Sequence, residues 1–258
     1  MMESNYLKEN SKIKNGQRRK RLSISKNYGL IKTLNSGVKS VPISISEARI
    51  RKFQEDYLDN SYWRTSKRLF DISFSLFVIV FVLSWLCPLM YVLIKLESKG
   101  PLIFKQSRSG LNQNQFLCYK FRSMEVNDYS ETFPTMNKDP RITTSGRITR
   151  KYSIDELPQF INVLKGEMTI VGPRPHMINE TDTFNQLSSE FYQRHHVKPG
   201  ITGLAQINNC RGKINSTMDL RNRLRYDLFY IKNASLFLDL KIIYKTFLFM
   251  LFGDEKAK

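Results

Sequence analysis

A mostly helical α+β fold is predicted from three features of this 258-residue chain. The 23 residues from Ile72 to Ile94 carry no formal charge. Two short strand-like runs, Pro101–Gln106 and Gln115–Phe121, flank a turn-forming stretch from Ser107 to Asn114. Further on, stretches at 181–196, 217–232 and 234–252 read as helical. Together these predict an N-terminal membrane segment, a small β-hairpin and amphipathic helices suited to an interface. The boundaries that follow are a basic arm at 1–61, the membrane segment at 62–96, the principal domain at 97–252 and a tail at 253–258.

The arm is polar and rich in cations such as Arg18-Arg-Lys-Arg21, and no apolar signal-peptide core is expected in it. Few aromatics and only short apolar runs predict a largely disordered segment. Such an arm is either a solvated tail or is held against anionic headgroups.

As a helix, Ile72–Ile94 would reach ~34 Å at ~1.5 Å per residue, enough to cross a bilayer core. Pro88 removes a backbone donor inside the run and favours a break there. Lys67 and Arg68 precede it and Lys95 and Lys99 follow, so both flanks prefer the cytoplasmic side. A straight crossing and a bent segment entering and leaving through one face both stand at this point.

The expected hairpin carries Lys105, Arg108, Lys120 and Arg122. Residues 124–145 read as a loop with a turn at Asp139-Pro-Arg141. Ser153 is placed to cap a helix over Asp155–Leu164, with Gly166 as its stop. Phe160, Ile161 and Leu164 form that helix's apolar stripe. Met168–Val171 reads as a buried strand. Gly172-Pro-Arg-Pro175 follows as a stiffened loop in which Arg174, preceding a proline, is conformationally restricted. Thr181–His196 reads as helix, Val197–Gly203 as loop, and 217–232 as a charged helix containing Asp227. Ala234–Phe252 suits a helix lying in the headgroup plane or packed on the core.

The net charge of +18 implies an anionic partner: nucleic acid, an acidic membrane surface or a phosphorylated substrate. No nucleic-acid partner is expected, because no helix-turn-helix or RNP-type strand is visible. Cys87, Cys118 and Cys210 are widely spaced and form no disulfide framework, which suits a reducing compartment. The three histidines lack zinc-ligand spacing. The densest chemistry lies between Arg147 and Gln159. Asp155 and Glu156 follow Arg147, Arg150 and Lys151, and Arg174 comes after. Arginines hold phosphate oxygens, and adjacent carboxylates can bind a divalent metal or attack phosphorus. The plainer reading makes the two acids mere compensation for a helix dipole.

An ordered series of motifs resembles the bacterial sugar transferases, the monotopic phosphoglycosyl transferases. It comprises Lys67-Arg-Leu-Phe-Asp71, the proline-containing apolar run, Gly100–Gly110, Tyr119-Lys-Phe-Arg-Ser-Met124, Asp139-Pro-Arg-Ile-Thr143 and Gly146-Arg147. It continues through Asp155-Glu-Leu-Pro-Gln159, Val171-Gly-Pro-Arg-Pro175, Lys198-Pro-Gly-Ile-Thr-Gly203 and Asp227-Leu-Phe-Tyr-Ile-Lys-Asn233, so the likeness covers about 62–252. The resemblance implies a re-entrant helix–break–helix with Pro88 at the break, and a cytoplasmic catalytic domain at 97–252 on the bacterial inner membrane. It puts the nucleophile on Asp155 and Mg2+ on Glu156. Phosphate or nucleotide binding falls on Arg147, Arg150, Pro173, Arg174 and Pro175, and a functionally important acid on Asp227.

The finer pattern is similar to undecaprenyl-phosphate glucose phosphotransferases of exopolysaccharide synthesis. Pro175-His176, Arg194-His195, Val197-Lys198, Gln206–Asn208 and Arg211-Gly212 carry that likeness. Asn208-Asn-Cys-Arg-Gly-Lys213 departs from the usual Asn-Gly-x-Arg-Gly-Glu. The implied reaction moves a hexose-1-phosphate, of glucose or galactose, from a UDP-sugar to undecaprenyl phosphate through an aspartyl intermediate. This would be the first membrane step of exopolysaccharide, capsule or O-antigen synthesis. The alternative is the same chemistry with an N-acetylated or deoxyamino sugar. Membrane lipids are the implied surroundings, and a homo-oligomer is compatible with the sequence.

Overall fold

The computed structural model describes residues 61–126, 139–212 and 214–252. The arm, apart from Ser61, lies outside these residues, as do the tail at 253–258 and residues 127–138 of the expected loop.

Helix α1 (Ser61–Val78) runs into a π-helical turn at Ile79–Leu83 and then into α2 (Ser84–Glu97). From Trp63 to Glu97 this is one helical run of 35 residues, long and apolar enough to cross a membrane. The break expected at Pro88 is therefore corrected, since Pro88 sits inside α2. The departure from α geometry lies upstream, where the Ser84 N–H bonds to the Ile79 carbonyl five residues back. Pro88 cannot donate to the Ser84 carbonyl and its ring crowds that group. A widened turn just before it accommodates the ring without ending the helix.

β1 (Ile103–Ser109) and β2 (Gln115–Phe121) form the expected hairpin, antiparallel with Gln106 opposite Cys118. A 3₁₀ turn at Leu111–Gln113 joins them. Helix α3 (Thr144–Lys151) was not expected; the Thr143 side chain accepts from the Gly146 N–H and caps it. The predicted helix over Asp155–Leu164 is corrected as well. Ser153 caps nothing and takes a left-handed conformation (φ 55°), after which Ile154–Glu156 makes a single 3₁₀ turn. Helix α4 begins only at Gln159 (Gln159–Lys165), because Pro158 has no N–H with which to continue an earlier helix. Gly166 ends α4 as expected, at φ 84°.

β3 (Thr169–Val171) fulfils the strand reading and pairs in parallel with β4 (Gly200–Thr202), inside the segment expected to be loop. Glycine spacing hid this strand. A Cβ on Gly200 would lie 2.1 Å from the Gly172 nitrogen, so both positions have no room for a side chain. Helix α5 (Ile178–Leu187) starts three residues before the predicted start and passes into a 3₁₀ stretch at Ser189–His196. Short α6 (Leu204–Ile207), charged α7 (Thr217–Lys232) and apolar α8 (Leu236–Phe252) complete the described chain. Asn209 is left-handed (φ 59°), a conformation asparagine tolerates better than most residues. Asparagine, where the resembled pattern has glycine, is thus compatible with this turn.

The main core gathers Phe160, Val163, Met168, Ile170, Val171, Ile231 and Ile242, with Phe70 and Phe74 of α1 packed on it. A second cluster sets Leu86, Met90 and Ile94 of α2 against Phe121, with Ile154 and Leu157 beside it. Both halves of the long helix thus pack on one body. The opposite side, including Phe77, Phe81, Trp85, Leu89, Val92 and Leu96, is exposed.

Candidate active site

The 3₁₀ turn after left-handed Ser153 presents Asp155 and Glu156 between the hairpin and the loop that follows β3. Glu156 accepts a forked pair of bonds from Arg174, at 3.0 and 2.6 Å. Lys120, from β2, reaches the same carboxylate at 2.7 Å. Burial alone would raise the Glu156 pKa. Arg174 and then Lys120 outweigh it and hold the carboxyl well below its usual range. Asp155 is buried and takes the other course. Burial raises its pKa from 3.8 to about 6, helped by the Glu156 charge and opposed chiefly by Lys120, then by Arg150 and Arg174. Two neighbouring carboxylates with pKa values driven apart are fitted to different tasks.

The Gly-Pro-Arg-Pro loop is pinned through consecutive carbonyls. Gly200 N–H donates to Pro173 O at 2.9 Å. Arg194 donates to Arg174 O at 2.7 Å, and Arg108 to Pro175 O at 3.0 Å. The Ser109 N–H donates to His176 O at 3.0 Å. Every neighbour of Arg174 in the loop is fixed, so its guanidinium is presented to Glu156 from a rigid frame.

The structure thus brings Asp155, Glu156, Arg150 and Arg174 into one electrostatic cluster, with Pro173 and Pro175 as the frame of Arg174. Arg147 is exposed and acts on Glu97 at the end of α2. Asp227 is buried and bonded to Arg194 (2.9 Å to Nε, 2.8 Å to Nη2). It meets the loop through that arginine. Lys120, on Glu156, and Arg194, on the Arg174 carbonyl, are further side chains of this cluster that the sequence reading did not place in the site. Lys120 was visible as one of four hairpin cations and inside the Tyr119–Met124 likeness motif, and Arg194 as part of another likeness motif.

Among the described residues no group of three or more metal-ligating side chains comes together. Mg2+ is nevertheless commonly held by one or two carboxylates plus substrate phosphates. The donor chemistry fits Glu156 in that role, provided that phosphate oxygens draw Lys120 and Arg174 away from it.

Residues 62–253 match the family model described as bacterial sugar transferase. The chain is 44% identical over 185 residues to the UDP-glucose:undecaprenyl-phosphate glucose-1-phosphate transferase of Escherichia coli (strain K12), covering 71% of this chain and 39% of that protein. It is 43% identical over 185 residues to the exopolysaccharide production protein PSS of Rhizobium leguminosarum bv. phaseoli, covering 70% of this chain and 92% of that one. A UDP-N-acetylgalactosamine-undecaprenyl-phosphate N-acetylgalactosaminephosphotransferase of Aeromonas hydrophila is 44% identical over 171 residues, covering 64% and 40% of the two chains. This chain therefore spans well under half of the length of the E. coli and Aeromonas relatives.

Proposed function

The chain belongs to the bacterial sugar transferase family, and on that premise we propose that it transfers a hexose-1-phosphate, of glucose or galactose, from a UDP-sugar to undecaprenyl phosphate and releases UMP. The observation that carries this reading is the division between the two adjacent acids. Glu156 is ionised and locked among cations, whereas Asp155 is buried and more basic than an ordinary aspartate.

In the proposed reaction the substrate diphosphate competes with Glu156 for Arg174 and Lys120. Arg150 adds a third cation at the end of α3. A carboxylate oxygen of Asp155 attacks the sugar-proximal phosphorus. The Asp155–phosphorus bond forms as the bond to the UMP oxygen breaks. The acyl phosphate retains enough transfer potential for a second displacement. There an oxygen of undecaprenyl phosphate bonds to phosphorus and the Asp155 carboxylate leaves, giving the lipid diphosphate sugar. Arg174, Lys120 and Arg150 stabilise the charge on the non-bridging oxygens in both steps. Mg2+ held on Glu156 would add Lewis-acid neutralisation of the diphosphate.

The lipid acceptor requires a site at headgroup level, and we read the long helix as lying within one leaflet on the cytoplasmic face of the inner membrane. Two attachments support this. At the α1 end Arg68 donates to the carbonyls of Val163 (2.6 Å) and Leu164 (2.9 Å). At the α2 end Glu97 accepts from Ser145 N–H (2.9 Å) and Oγ (2.6 Å). With both ends fastened to one charged body, a full crossing would pull polar groups into hydrocarbon. The exposed face of α8, with Phe237, Leu240, Tyr244, Phe247 and Phe252, suits the same interface.

A second reading, the same chemistry on an N-acetylated hexose, is favoured by the similar identity to the Aeromonas relative. UMP release measured across UDP-glucose, UDP-galactose and their N-acetylated counterparts, with and without undecaprenyl phosphate, tests both readings. The first expects turnover with an unsubstituted hexose. Turnover confined to an N-acetylated sugar supports the second, and no UMP from any of them refutes the assignment.

A further inference from the structure

Asp227 lies deep in α7 and is hydrogen-bonded to Arg194, which is itself buried. Its carboxylate accepts from Arg194 Nε at 2.9 Å and lies 2.8 Å from Nη2, with the two side chains 2% and 1% exposed. The same Nη2 donates to the backbone carbonyl of Arg174 at 2.7 Å. The Phe191 ring, its centroid 5.0 Å from the Arg194 guanidinium carbon, backs the cation. Four segments are joined in this way: α7, the 3₁₀ stretch, the loop after β3 and the turn bearing Glu156. The carbonyls of Pro173 and Pro175 have other donors, so Arg194 grips the residue whose guanidinium forks onto Glu156.

We infer that Arg194, oriented by Asp227, is a positioning residue that sets Arg174 against Glu156. Asp227 then serves the reaction without touching substrate. Arginine suits the post because one planar group must accept direction from a carboxylate while donating to a carbonyl, which a single ammonium does less well. Burial gives the arrangement its rigidity. An Arg194 stripped of Asp227 would be a buried cation without its carboxylate, and Asp227 without Arg194 would keep only the lesser influence of Arg223.

The activity arm of the test rests on the proposed function, whereas a spectroscopic arm does not. In the full chain, Arg194→Met should lower kcat/KM for UMP release on the order of 100-fold, the scale set by small misplacements of catalytic groups. Arg174→Met should cost at least as much. If Arg194 acts through Arg174, the double variant falls no further than about threefold below the worse single, since coupled residues are non-additive. Losses that multiply would overturn the relay. The neutral pair Arg194→Gln/Asp227→Asn strands no charge and guards against misfolding. It should keep wild-type melting within a few degrees yet lose activity to a similar extent, and wild-type turnover from it would overturn the proposal. Independently of turnover, 15N NMR of the arginine side chains, assigned by an Arg174→Lys spectrum, should show hindered rotation of the Arg174 guanidinium. That hindrance should disappear in Arg194→Met, and its persistence would count against the relay. If the wild-type protein releases no UMP from any UDP-sugar, the proposed function fails while the NMR comparison still decides the relay.

Discussion

Asp155→Asn should inactivate the protein and stabilise it at the same time. The folded state raises the Asp155 pKa from 3.8 to about 6, with burial as the largest cause. Between those values the folded protein holds a proton that the unfolded chain has already released. Stability attributable to this group therefore falls as pH rises from about 4 to 6, and the full cost persists above that. At ~1.4 kcal/mol per pH unit the shift corresponds to on the order of 3 kcal/mol. Asparagine fills the same volume without the charge, so the variant should melt higher than wild type at pH 7.5. The difference should close towards pH 4, where the wild-type residue is protonated in the fold. Denaturant titration in detergent at the two pH values measures this, alongside UMP release from UDP-glucose. Steady UMP release from Asp155→Asn would refute the nucleophile assignment. A variant no more stable than wild type at pH 7.5 would refute the account of a strained, desolvated carboxylate.

Other substitutions separate the remaining roles. In the wild type kcat/KM should rise with pH through about 6 as Asp155 ionises. Because Lys120 is the strongest influence favouring that ionised form, Lys120→Met should move the acid limb of the profile to higher pH and lower its plateau about 10- to 1000-fold. Glu156→Gln should flatten the dependence of UMP release on added Mg2+, read by titrating the metal at saturating UDP-sugar. Lys67→Met leaves fully buried Asp239 without its cation at 2.7 Å. It should cost about 3–5 kcal/mol in thermal or denaturant unfolding, whereas Lys67→Met with Asp239→Asn recovers much of that loss. Gly200→Ala forces a Cβ against the Gly172 nitrogen at 2.1 Å. It should destabilise by about 1–3 kcal/mol or more and reduce turnover, since the same pair of strands frames Arg174.

What the sequence disclosed and what it hid follow from the range of the forces involved. The hairpin, α4's stop at Gly166, β3, α7 and α8 were readable because their signals are local: alternation, caps and continuous apolar runs. Misjudged elements depended on partners far along the chain. β4 is three residues with a glycine at its head, and it exists because Gly172 and Gly200 allow two backbones to approach. Ser153 looks like an N-cap in isolation, yet Pro158 postpones the helix and Ser153 turns left-handed instead. The same holds for the site. Asp155, Glu156, Arg150 and Arg174 form one acid–cation block that a linear reading can gather. Lys120 comes from β2, 36 residues before Glu156, and nothing local to it names that partner. Arg147 belongs to the block by sequence, but α3 begins at Thr144 and carries it towards Glu97 while Arg150, three residues on, acts on Asp155.

The site's rigidity and its proposed depth in the membrane have a common structural origin. Lys67 of α1 lies 3.3 Å from Asp71 and 2.7 Å from Asp239 of α8, so one buried cation ties together the two apolar helices. Asp71 also accepts from Thr169 Oγ1 at 2.6 Å and from the Ile170 N–H at 3.2 Å. The Tyr230 hydroxyl contacts Asp239 and the Val171 carbonyl, each at 2.8 Å. All three residues of β3 are therefore held by groups of, or bonded to, α1 and α8, and the next four residues are the loop that presents Arg174. Burying these charges is unfavourable by itself, and a well-packed apolar cluster would stabilise the fold at least as well. What an apolar cluster cannot supply is register, because it tolerates sliding that a bonded carboxylate does not. The polar knot is thus best understood as fixing where Arg174 sits relative to the two helices. The proposed transfer, from a soluble nucleotide sugar to a lipid phosphate, needs that distance fixed.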